Sequence, residues 1–368
     1  MDPIVYYITA HGYGHGVRSC DIIRAFHRLH PEVPFILATD LRESFLRNRL
    51  PGLAFTVRPV TLDVGMVQRD SVRSDVSASL EQALALADYW PQLVAAETDY
   101  LRSQPVGLVV ADIPAIPLEA AARAGLPSVA VGNFSWNWIY AALVDQDTRW
   151  ARLVELFEAG YRRTDLLLRL PFSEPMTAFP RQCTVPLVAE PATPRRAGLA
   201  ALTGAPLDRR WVLLSFSTLD WDEAALDRVA ALDAYAFFTV RPLAWARDNL
   251  YAVDREQMPF STVIASCDAV VTKPGYGILS ECVVNRKPML YVDRTDFAEY
   301  AVLEPAVQRY LRQRHIPAEQ LYRGELGAGL EALWSAPEPQ EHPPADGGRA
   351  AAEQLAKLYR PGPAAAAT

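Results

Sequence analysis

ITAHGYGHGVRS, residues 8–19, places two histidines within a glycine-rich stretch. The apolar run IVYYITA (4–10) leads into it and predicts a buried strand, and the amphipathic run VRSCDIIRAFHRLH (17–30) follows and predicts a helix. Glycine allows a sharp turn between two such elements and a close approach of the backbone to a ligand. We therefore predict that His11 and His15 lie on a turn between a strand and a helix, at the sheet edge where α/β proteins bind ligands.

The same alternation of strand and helix continues along the chain. Continuous apolar runs predict buried parallel strands at 34–40, 54–60, 106–112, 127–134, 165–171, 210–216, 235–240, 269–273 and 288–293. Amphipathic stretches predict helices at 76–103, 116–125, 147–161, 222–231, 277–286, 298–313 and 349–359. A proline-rich stretch, 183–198, separates two such series and predicts a linker. The pattern is typical of two doubly wound α/β domains that face a cleft.

The composition argues against several classes of protein. The formal net charge of −7 does not suit a broad nucleic-acid groove. The four cysteines are scattered without a CxxC pair, so the sequence indicates neither a zinc site nor a disulfide framework. No apolar run reaches the roughly 18 residues of a membrane span, and no secretory leader is recognisable. We expect a cytoplasmic protein without a transmembrane segment, and the sequence leaves its oligomeric state open.

A second glycine-rich turn, in VVTKPGYGILSEC, follows a strand in the other half of the chain. Gly275 and Gly277 precede a predicted helix, whose N-terminal amides favour an anion such as phosphate. Lys273 and the hydroxyl of Ser280 can add hydrogen-bond donors. Glu281, one turn into the helix, can accept two ribose hydroxyls, although a glutamate here can also serve only to favour the helix.

The stretch VGNFSWNWIY combines polar and aromatic side chains directly after a predicted strand. Such a combination suits the apolar face and the hydroxyls of a sugar, and a buried aromatic core is the alternative. Polar residues of the stretch 62–75, which we predict to be a loop over the acceptor, and the end of the strand 106–112 can line the same cleft. The candidate acceptor residues are Gln68, Asp70, Asp112, Asn133, Ser135, Trp136 and Tyr140.

Six stretches, taken in this order, resemble the GT-B glycosyltransferases. The resemblance is closest to the glycosyltransferase-like N-terminal domain of plant L-arabinokinases and its bacterial relatives. The stretches are YYITAHGYGHGVRS, LDVGMVQRDSVRSDVSASLEQ, VGNFSWNWIYA, TKPGYGILSEC, VDRTDFAEYAVLE and DGGRAAAEQLA. The galactokinase-type half of arabinokinase has no counterpart in this sequence, so the resemblance does not imply sugar phosphorylation.

The resemblance implies a GT-B fold of two Rossmann-like domains. Residues 1–182 would form the acceptor-binding domain, 183–198 the linker and 199–345 the nucleotide-sugar-binding domain, with a C-terminal helix and tail at 346–368. His15 lies where related enzymes hold a catalytic histidine, and His11 would orient the loop or bind substrate. The donor-site residues that it implies, together with those named above, are Ser217, Thr218, Lys273, Gly275, Tyr276, Gly277, Ser280, Glu281, Asp296 and Glu299.

The stretch SFSTLDWD (215–222) lies where relatives carry a glycine-rich pyrophosphate loop. Serines and Thr218 replace those glycines, and their hydroxyls can still bind phosphate. Asp220-Trp221-Asp222 matches a D-x-D metal motif of a different fold, but an aspartate after a strand is also what a helix N-terminus favours. We interpret it as a helix start and expect neither a metal nor another cofactor.

These features together predict a glycosyltransferase with a nucleotide-sugar and a small-molecule or glycan acceptor as partners. We expect a sugar to move from a nucleoside diphosphate, with UDP the expected carrier, to an acceptor hydroxyl. His15 would act as general base with inversion at the anomeric carbon. The alternatives are a nucleotide-sugar 2-epimerase or hydrolase of the same fold, and a catalytically silent nucleotide-sugar-binding subunit, since fold does not settle reaction.

Overall fold

The computed structural model describes residues 1–294 and 296–360. The chain forms two compact units. Among the described residues, the first unit contains 1–67, 76–189 and 344–360, and the second contains 68–75 and 190–343 apart from residue 295. The units thus differ from a single division at the predicted linker, because the short segment 68–75 packs with the second unit and the C-terminal residues with the first.

The first unit is built on a seven-stranded parallel sheet in the order β3-β2-β1-β4-β5-β6-β7. Its strands are β1 Ile4–Ile8, β2 Phe35–Ala38, β3 Phe55–Arg58, β4 Leu108–Asp112, β5 Ser128–Gly132, β6 Leu166–Arg169 and β7 Gln182–Thr184. The central strands are apolar on both faces because helices cover both sides of the sheet. The strand order reverses between β1 and β4, so their carboxyl ends form the topological switch point at which such sheets bind ligands.

Seven helices of the first unit connect these strands or extend from them. They are α1 Tyr13–Leu29, α2 Glu43–Arg49, α3 Val76–Asp88, α4 Trp90–Arg102, α5 Ile116–Ala124, α6 Trp136–Ala141 and α7 Trp150–Tyr161. The single helix predicted at 76–103 is wrong. Pro91, in the first turn of α4, has no N–H to continue a hydrogen-bond ladder, so two helices form instead of one.

The second unit contains a six-stranded parallel sheet in the order β10-β9-β8-β11-β12-β13. Its strands are β8 Arg210–Leu214, β9 Tyr235–Val240, β10 Leu250–Val253, β11 Ala269–Thr272, β12 Met289–Val292 and β13 Gln313–Ile316. Its helices are α8 Arg196–Thr203, α9 Glu223–Ala230, α10 Phe260–Ser266, α11 Tyr276–Val284, α12 Tyr300–Tyr310, α13 Ala318–Tyr322 and α14 Gly327–Trp334. The order reverses between β8 and β11, which places a second switch point at their carboxyl ends.

Two sequence expectations about the second unit and the linker need correction. The helix predicted at 298–313 ends at Tyr310, and its last predicted residue begins β13, a partly exposed edge strand with no apolar run to reveal it. The stretch 183–198 is not structureless at its ends, because β7 extends the first sheet and α8 begins at Arg196.

The last described helix, α15 Gly347–Leu358, belongs to the first unit and packs against α1. A Cβ atom at Gly347 would lie 2.1 Å from the carbonyl oxygen of Pro186, so only glycine allows this approach. The helix predicted at 349–359 is confirmed, because α15 spans nearly the same residues. Of the tail predicted after it, residues 360–368, only Arg360 is among the described residues.

Candidate active site

The connection from β1 to α1 is shorter than the sequence indicated. Helix α1 begins at Tyr13, within the stretch predicted as a turn. His15 therefore lies in the first turn of the helix, and only His11 lies on the connection. A Cβ atom at Gly16 would lie 2.6 Å from a ring carbon of Phe45, so this glycine permits close packing of the helix. The prediction of a turn carrying both histidines is wrong for His15.

His15 and Asp112 form a hydrogen-bonded pair at the switch point of the first sheet. Ile8 of β1 lies opposite Asp112 of β4 in the parallel register, which brings the start of α1 over the carboxyl end of β4. The Nδ1 atom of His15 lies 2.8 Å from Oδ1 of Asp112. The carboxylate is fully buried, whereas 14% of the His15 side chain is exposed. The buried carboxylate of Asp112 thus fixes the orientation of the partly exposed His15 ring.

Asp112 is also the acceptor of an arginine and a serine from the same helix. Arg18 donates through Nε to Oδ2 at 2.7 Å, and the Ser19 hydroxyl donates to the same oxygen at 2.9 Å. The guanidinium donates in addition to Oδ1 of Asp112 and to Oδ1 of Asn133, the latter at 2.7 Å. Arg18 and Asn133 are both buried. The carboxylate is therefore paired with a permanent cation as well as with His15.

Two contacts at Nδ1 bear on the tautomer of His15. Arg18 Nη2 lies 3.0 Å from the same Nδ1 atom that approaches Asp112. A guanidinium only donates and a carboxylate only accepts, so the contact with Asp112 requires the proton on Nδ1, whereas the contact with Arg18 would require it on Nε2. The contact with the carboxylate is the shorter of the two, 2.8 Å against 3.0 Å, and it therefore favours the proton on Nδ1. The Nε2 atom then keeps its lone pair, which is the atom that a general base uses.

The ionised state of Asp112 is secured by these partners. Burial disfavours the charged carboxylate, but the charge and hydrogen bonds of Arg18, followed by those of His15, outweigh burial and lower the pKa of Asp112 to about 2. Asp112 thus accepts hydrogen bonds at neutral pH and does not itself serve as a proton acceptor for substrate.

His11 has a carboxylate partner of its own, Asp63. Its Nε2 atom lies 3.1 Å from Oδ1 of Asp63, on the chain that follows β3. The other carboxylate oxygen accepts from the Thr9 hydroxyl and, at 3.0 Å, from Nε1 of Trp136. Burial lowers the pKa of His11, but the charge and hydrogen bond of Asp63 exceed that effect, so the net shift is upward. The pKa of Asp63 is lowered in turn, because His11 and the two neutral donors outweigh its burial.

The other candidate acceptor residues lie in two different places. Trp136 and Tyr140 are 3% and 0% exposed and their rings stack at 5.7 Å, which matches the alternative of an aromatic core. The hydroxyl of Ser135 donates to Glu174 at 2.7 Å. Gln68 and Asp70 belong to the second unit rather than to the first.

The second glycine-rich turn begins α11 at Tyr276, with Gly275 as the extended N-cap residue. The Nζ atom of Lys273 lies 3.6 Å from where a Cβ atom of Gly275 would be, so the ammonium group sits beside this helix start. Desolvation, and then the nearby charge of Arg294, lower the pKa of Lys273 to about 7. Binding an anion here would favour the charged form of the lysine.

The remaining predicted donor residues differ in how far their polar groups are already engaged. The Ser280 hydroxyl donates to the carbonyl of Tyr276 at 2.7 Å, within α11. Glu281 is 7% exposed and accepts from Asn285 Nδ2 at 3.4 Å. Glu299 is 9% exposed and precedes α12. Gly277 lies in the first turn of α11.

The loop 215–222 shows both a confirmed prediction and an unexpected contact. Asp222 is the N-cap of α9 and accepts the backbone N–H of Ala225 at 2.8 Å, which confirms the interpretation of the D-x-D sequence as a helix start. Among residues 1–294 and 296–360, no three histidine, cysteine or acidic side chains are grouped so as to hold a metal ion. The backbone N–H groups of Ser217 and Thr218 both donate to Ser71.

His15 and Asp112 were each predicted from the sequence as candidate site residues, but the residues that join them were not. Arg18 follows His15 by three residues, the spacing that puts two side chains on one helix face, and this signal could have revealed it. Asp63, Ser71 and Arg294 carried no comparable signal, since their partners come from distant parts of the chain.

Comparisons with known proteins agree with this architecture. The chain is 29% identical over 326 residues to L-arabinokinase of Arabidopsis thaliana, which covers 83% of this chain and 29% of that protein. It therefore spans less than a third of the length of this relative. No family model matches the chain.

Solved structures show the same fold. The glycosyltransferase of kitacinnamycin matches with a TM-score of 0.63 at 17% identity, covering 98% of this chain and 100% of that one. UGT89C1 of Arabidopsis thaliana, complexed with quercetin, matches with a TM-score of 0.60 at 14% identity, covering 97% and 94%. VinC, in complex with dTDP, matches with a TM-score of 0.54 at 18% identity, covering 97% and 95%.

The chain has the GT-B glycosyltransferase fold, and its resemblance to L-arabinokinase is confirmed. Within the part of the chain that is described, none of the helices combines the length and the apolar character that crossing a membrane requires.

Proposed function

We propose that the protein is an inverting glycosyltransferase that moves a sugar from a nucleoside diphosphate, with UDP the expected carrier, to an acceptor hydroxyl. The observation that carries this proposal is the pair of His15 and the buried carboxylate of Asp112, with His15 Nδ1 held at 2.8 Å. A histidine whose proton is fixed on Nδ1 presents Nε2 to a substrate, as a general base must.

In the proposed reaction His15 takes the proton of the acceptor hydroxyl as the oxygen attacks the anomeric carbon. The imidazolium that forms is stabilised by Asp112, which keeps its negative charge throughout. The bond between the anomeric carbon and the phosphate oxygen breaks, and its electron pair leaves with the nucleoside diphosphate. Attack opposite to the leaving group inverts the configuration at that carbon.

The second unit would bind the nucleotide-sugar and stabilise the departing diphosphate. Lys273 and the start of α11 supply positive charge and N–H groups in one place. Glu281 would hold the ribose, and Asp296 and Glu299 the sugar hydroxyls. In this proposal no metal ion is needed, because the lysine and the helix terminus neutralise the charge that develops on the diphosphate.

The test is the release of nucleoside diphosphate from UDP-glucose, UDP-galactose and UDP-arabinose, with and without free monosaccharides or quercetin as acceptors. We expect release that depends on one donor and one class of acceptor, with a product of inverted anomeric configuration by NMR. Release that is independent of any acceptor would indicate a hydrolase. Absence of turnover with tight nucleotide binding would indicate a silent binding subunit.

A further inference from the structure

Residues 68–75 form a small hairpin on the second unit, hereafter the hairpin 68–75. Gln68 and Ser74 pair through an antiparallel bridge, and the carboxylate of Asp70 accepts the backbone N–H of Val72 at 2.8 Å. Val72 is 4% exposed and belongs to the hydrophobic core of the second unit. The chain thus enters the second unit for a few residues and is anchored there by an apolar side chain.

The tip of the hairpin contacts the loop predicted to bind pyrophosphate. The Ser71 Oγ atom accepts the backbone N–H of Ser217 at 3.0 Å and that of Thr218 at 2.9 Å. Ser71 is only 7% exposed, so it covers these two donors. Two neighbouring N–H groups that converge on one oxygen form the kind of concave site that binds a phosphate oxygen. The serine hydroxyl occupies that position.

The sides of the hairpin contact two further groups beside the predicted donor site. Arg294 Nη2 donates to Oε1 of Gln68 at 2.8 Å, and the N–H of Ser74 donates to Oδ2 of Asp296 at 2.6 Å. Arg294 is 5% exposed, and its Nε atom has no acceptor within residues 1–294 and 296–360. A neutral amide oxygen is a weak partner for a buried cation, and a phosphate would be a stronger one.

A second set of contacts, made by Asp70 and Arg73 with Tyr322, holds the hairpin 68–75 in place without contacting the loop 215–222. We call these contacts the clasp. The Tyr322 hydroxyl donates to the carboxylate of Asp70 at 3.0 Å, and the guanidinium of Arg73 lies 4.6 Å from the centre of the Tyr322 ring. These contacts are weak enough individually to be broken by ligand binding.

We propose that the hairpin 68–75 is an internal ligand of the donor site, and that a nucleoside diphosphate binds by displacing the Ser71 hydroxyl from the amides of Ser217 and Thr218. The inference rests on the proposed function, because it assigns these amides to the donor. The apparent affinity for the nucleotide is then lower than the intrinsic affinity, in proportion to the fraction of molecules with the hairpin open.

Ser71→Ala and Tyr322→Phe test this inference by calorimetry with UDP, dTDP, GDP and inorganic pyrophosphate. Ser71→Ala removes the competing oxygen, and Tyr322→Phe loosens the clasp and leaves the loop untouched. Each lost hydrogen bond should strengthen binding of the nucleotide, by about 3- to 30-fold for Ser71→Ala and by about 2- to 10-fold for Tyr322→Phe. Pyrophosphate affinity should rise as well, because phosphate oxygens are the competing atoms. Ser103→Ala, at an exposed serine of the first unit, is the matched control and should change nothing.

The possible outcomes separate this inference from the proposed function. Unchanged or weaker nucleotide binding in both variants would overturn the inference alone and would make Ser71 a structural or donor-binding residue. No binding of any nucleotide or of pyrophosphate by the wild type or by Ser71→Ala would overturn the proposed function and the inference with it. Binding by Ser71→Ala and not by the wild type would support the inference in its strongest form.

Discussion

The first unit contains two histidine–aspartate pairs that look alike and differ in charge balance. Asp112, beside His15, is shared with the guanidinium of Arg18, whereas the partners of Asp63 beside His11 are the neutral donors of Thr9 and Trp136. The charge of Asp63 therefore acts on His11 without a competing cation, and it raises the pKa of that ring. A carboxylate whose other partners are neutral thus raises the pKa of its imidazole, whereas a carboxylate that is already paired with a guanidinium serves to orient the ring.

The two pairs suggest different roles. A ring whose pKa is raised keeps its proton over a wider pH range and is a less suitable general base, and it suits the positioning of a loop or the binding of an anion. A ring whose carboxylate is already paired with arginine is oriented by it and keeps Nε2 available. We therefore assign the base to His15 and positioning to His11.

The largest expected effect is the loss of stability when the charge of either carboxylate is removed, and this loss should differ between the two pairs. Asp112→Asn leaves the buried Arg18 without its counter-ion and should cost about 3–5 kcal/mol. Asp63→Asn leaves a histidine that can lose its proton, and it should cost only about 1–3 kcal/mol. Thermal unfolding of both variants checks the order, with Asp99→Asn at an exposed position as the control. An equal loss in both variants would remove the distinction drawn between the pairs.

The pH dependence of stability should distinguish the pair of His11 and Asp63 from the pair of His15 and Asp112. Because folding raises the pKa of His11, its pair contributes stability below about pH 6.5, the ordinary histidine value, and loses it as pH rises through the raised pKa. Because folding lowers the pKa of Asp63, the same contribution is lost on acidification below about pH 4.

We therefore expect His11→Gln to lower the melting temperature most near pH 5.5 and least near pH 9. His30→Gln, at a partly exposed ring beside Glu32, should give a small difference at every pH. A deficit of His11→Gln that does not change across this range would show that Asp63 does not raise the pKa of His11.

The smallest effect should come from the indole that supports Asp63. Trp136→Phe removes the Nε1 donor, whereas Trp150→Phe removes a similar ring area from a buried indole whose Nε1 has no partner in the described part of the chain. Denaturant unfolding should show about 1 kcal/mol more destabilisation for Trp136→Phe. Equal losses of unfolding free energy in the two variants would mean that the hydrogen bond from Trp136 to Asp63 contributes nothing to stability beyond the packing of the ring.

Much of this fold could be predicted from the sequence because parallel strands buried on both faces are continuous apolar runs. The edge strands β7, β10 and β13 were missed. β7 and β13 are partly exposed, carry polar residues and lack such a run, whereas β10 is apolar but only four residues long. The break between α3 and α4 could have been found from Pro91.

The pairing of each histidine with its carboxylate could not be predicted in the same way. It depends on the register that sets Ile8 opposite Asp112, and on a connection after β3 that brings Asp63 to His11. The placement of the hairpin 68–75 on the second unit likewise rests on contacts between residues far apart in sequence, such as Ser71 with Thr218.

The most direct test of the account compares kcat of His15→Ala and His11→Ala at saturating donor and acceptor, once turnover with a donor is found. We expect His15→Ala to lower kcat by about 10²–10⁴-fold, the usual contribution of a general base, with nucleotide affinity nearly unchanged. His11→Ala should lower kcat by less than about tenfold or act through KM, and His27→Ala, on the same helix as His15, should leave both unchanged. A His15→Ala protein that turns over at nearly the wild-type rate would contradict the account.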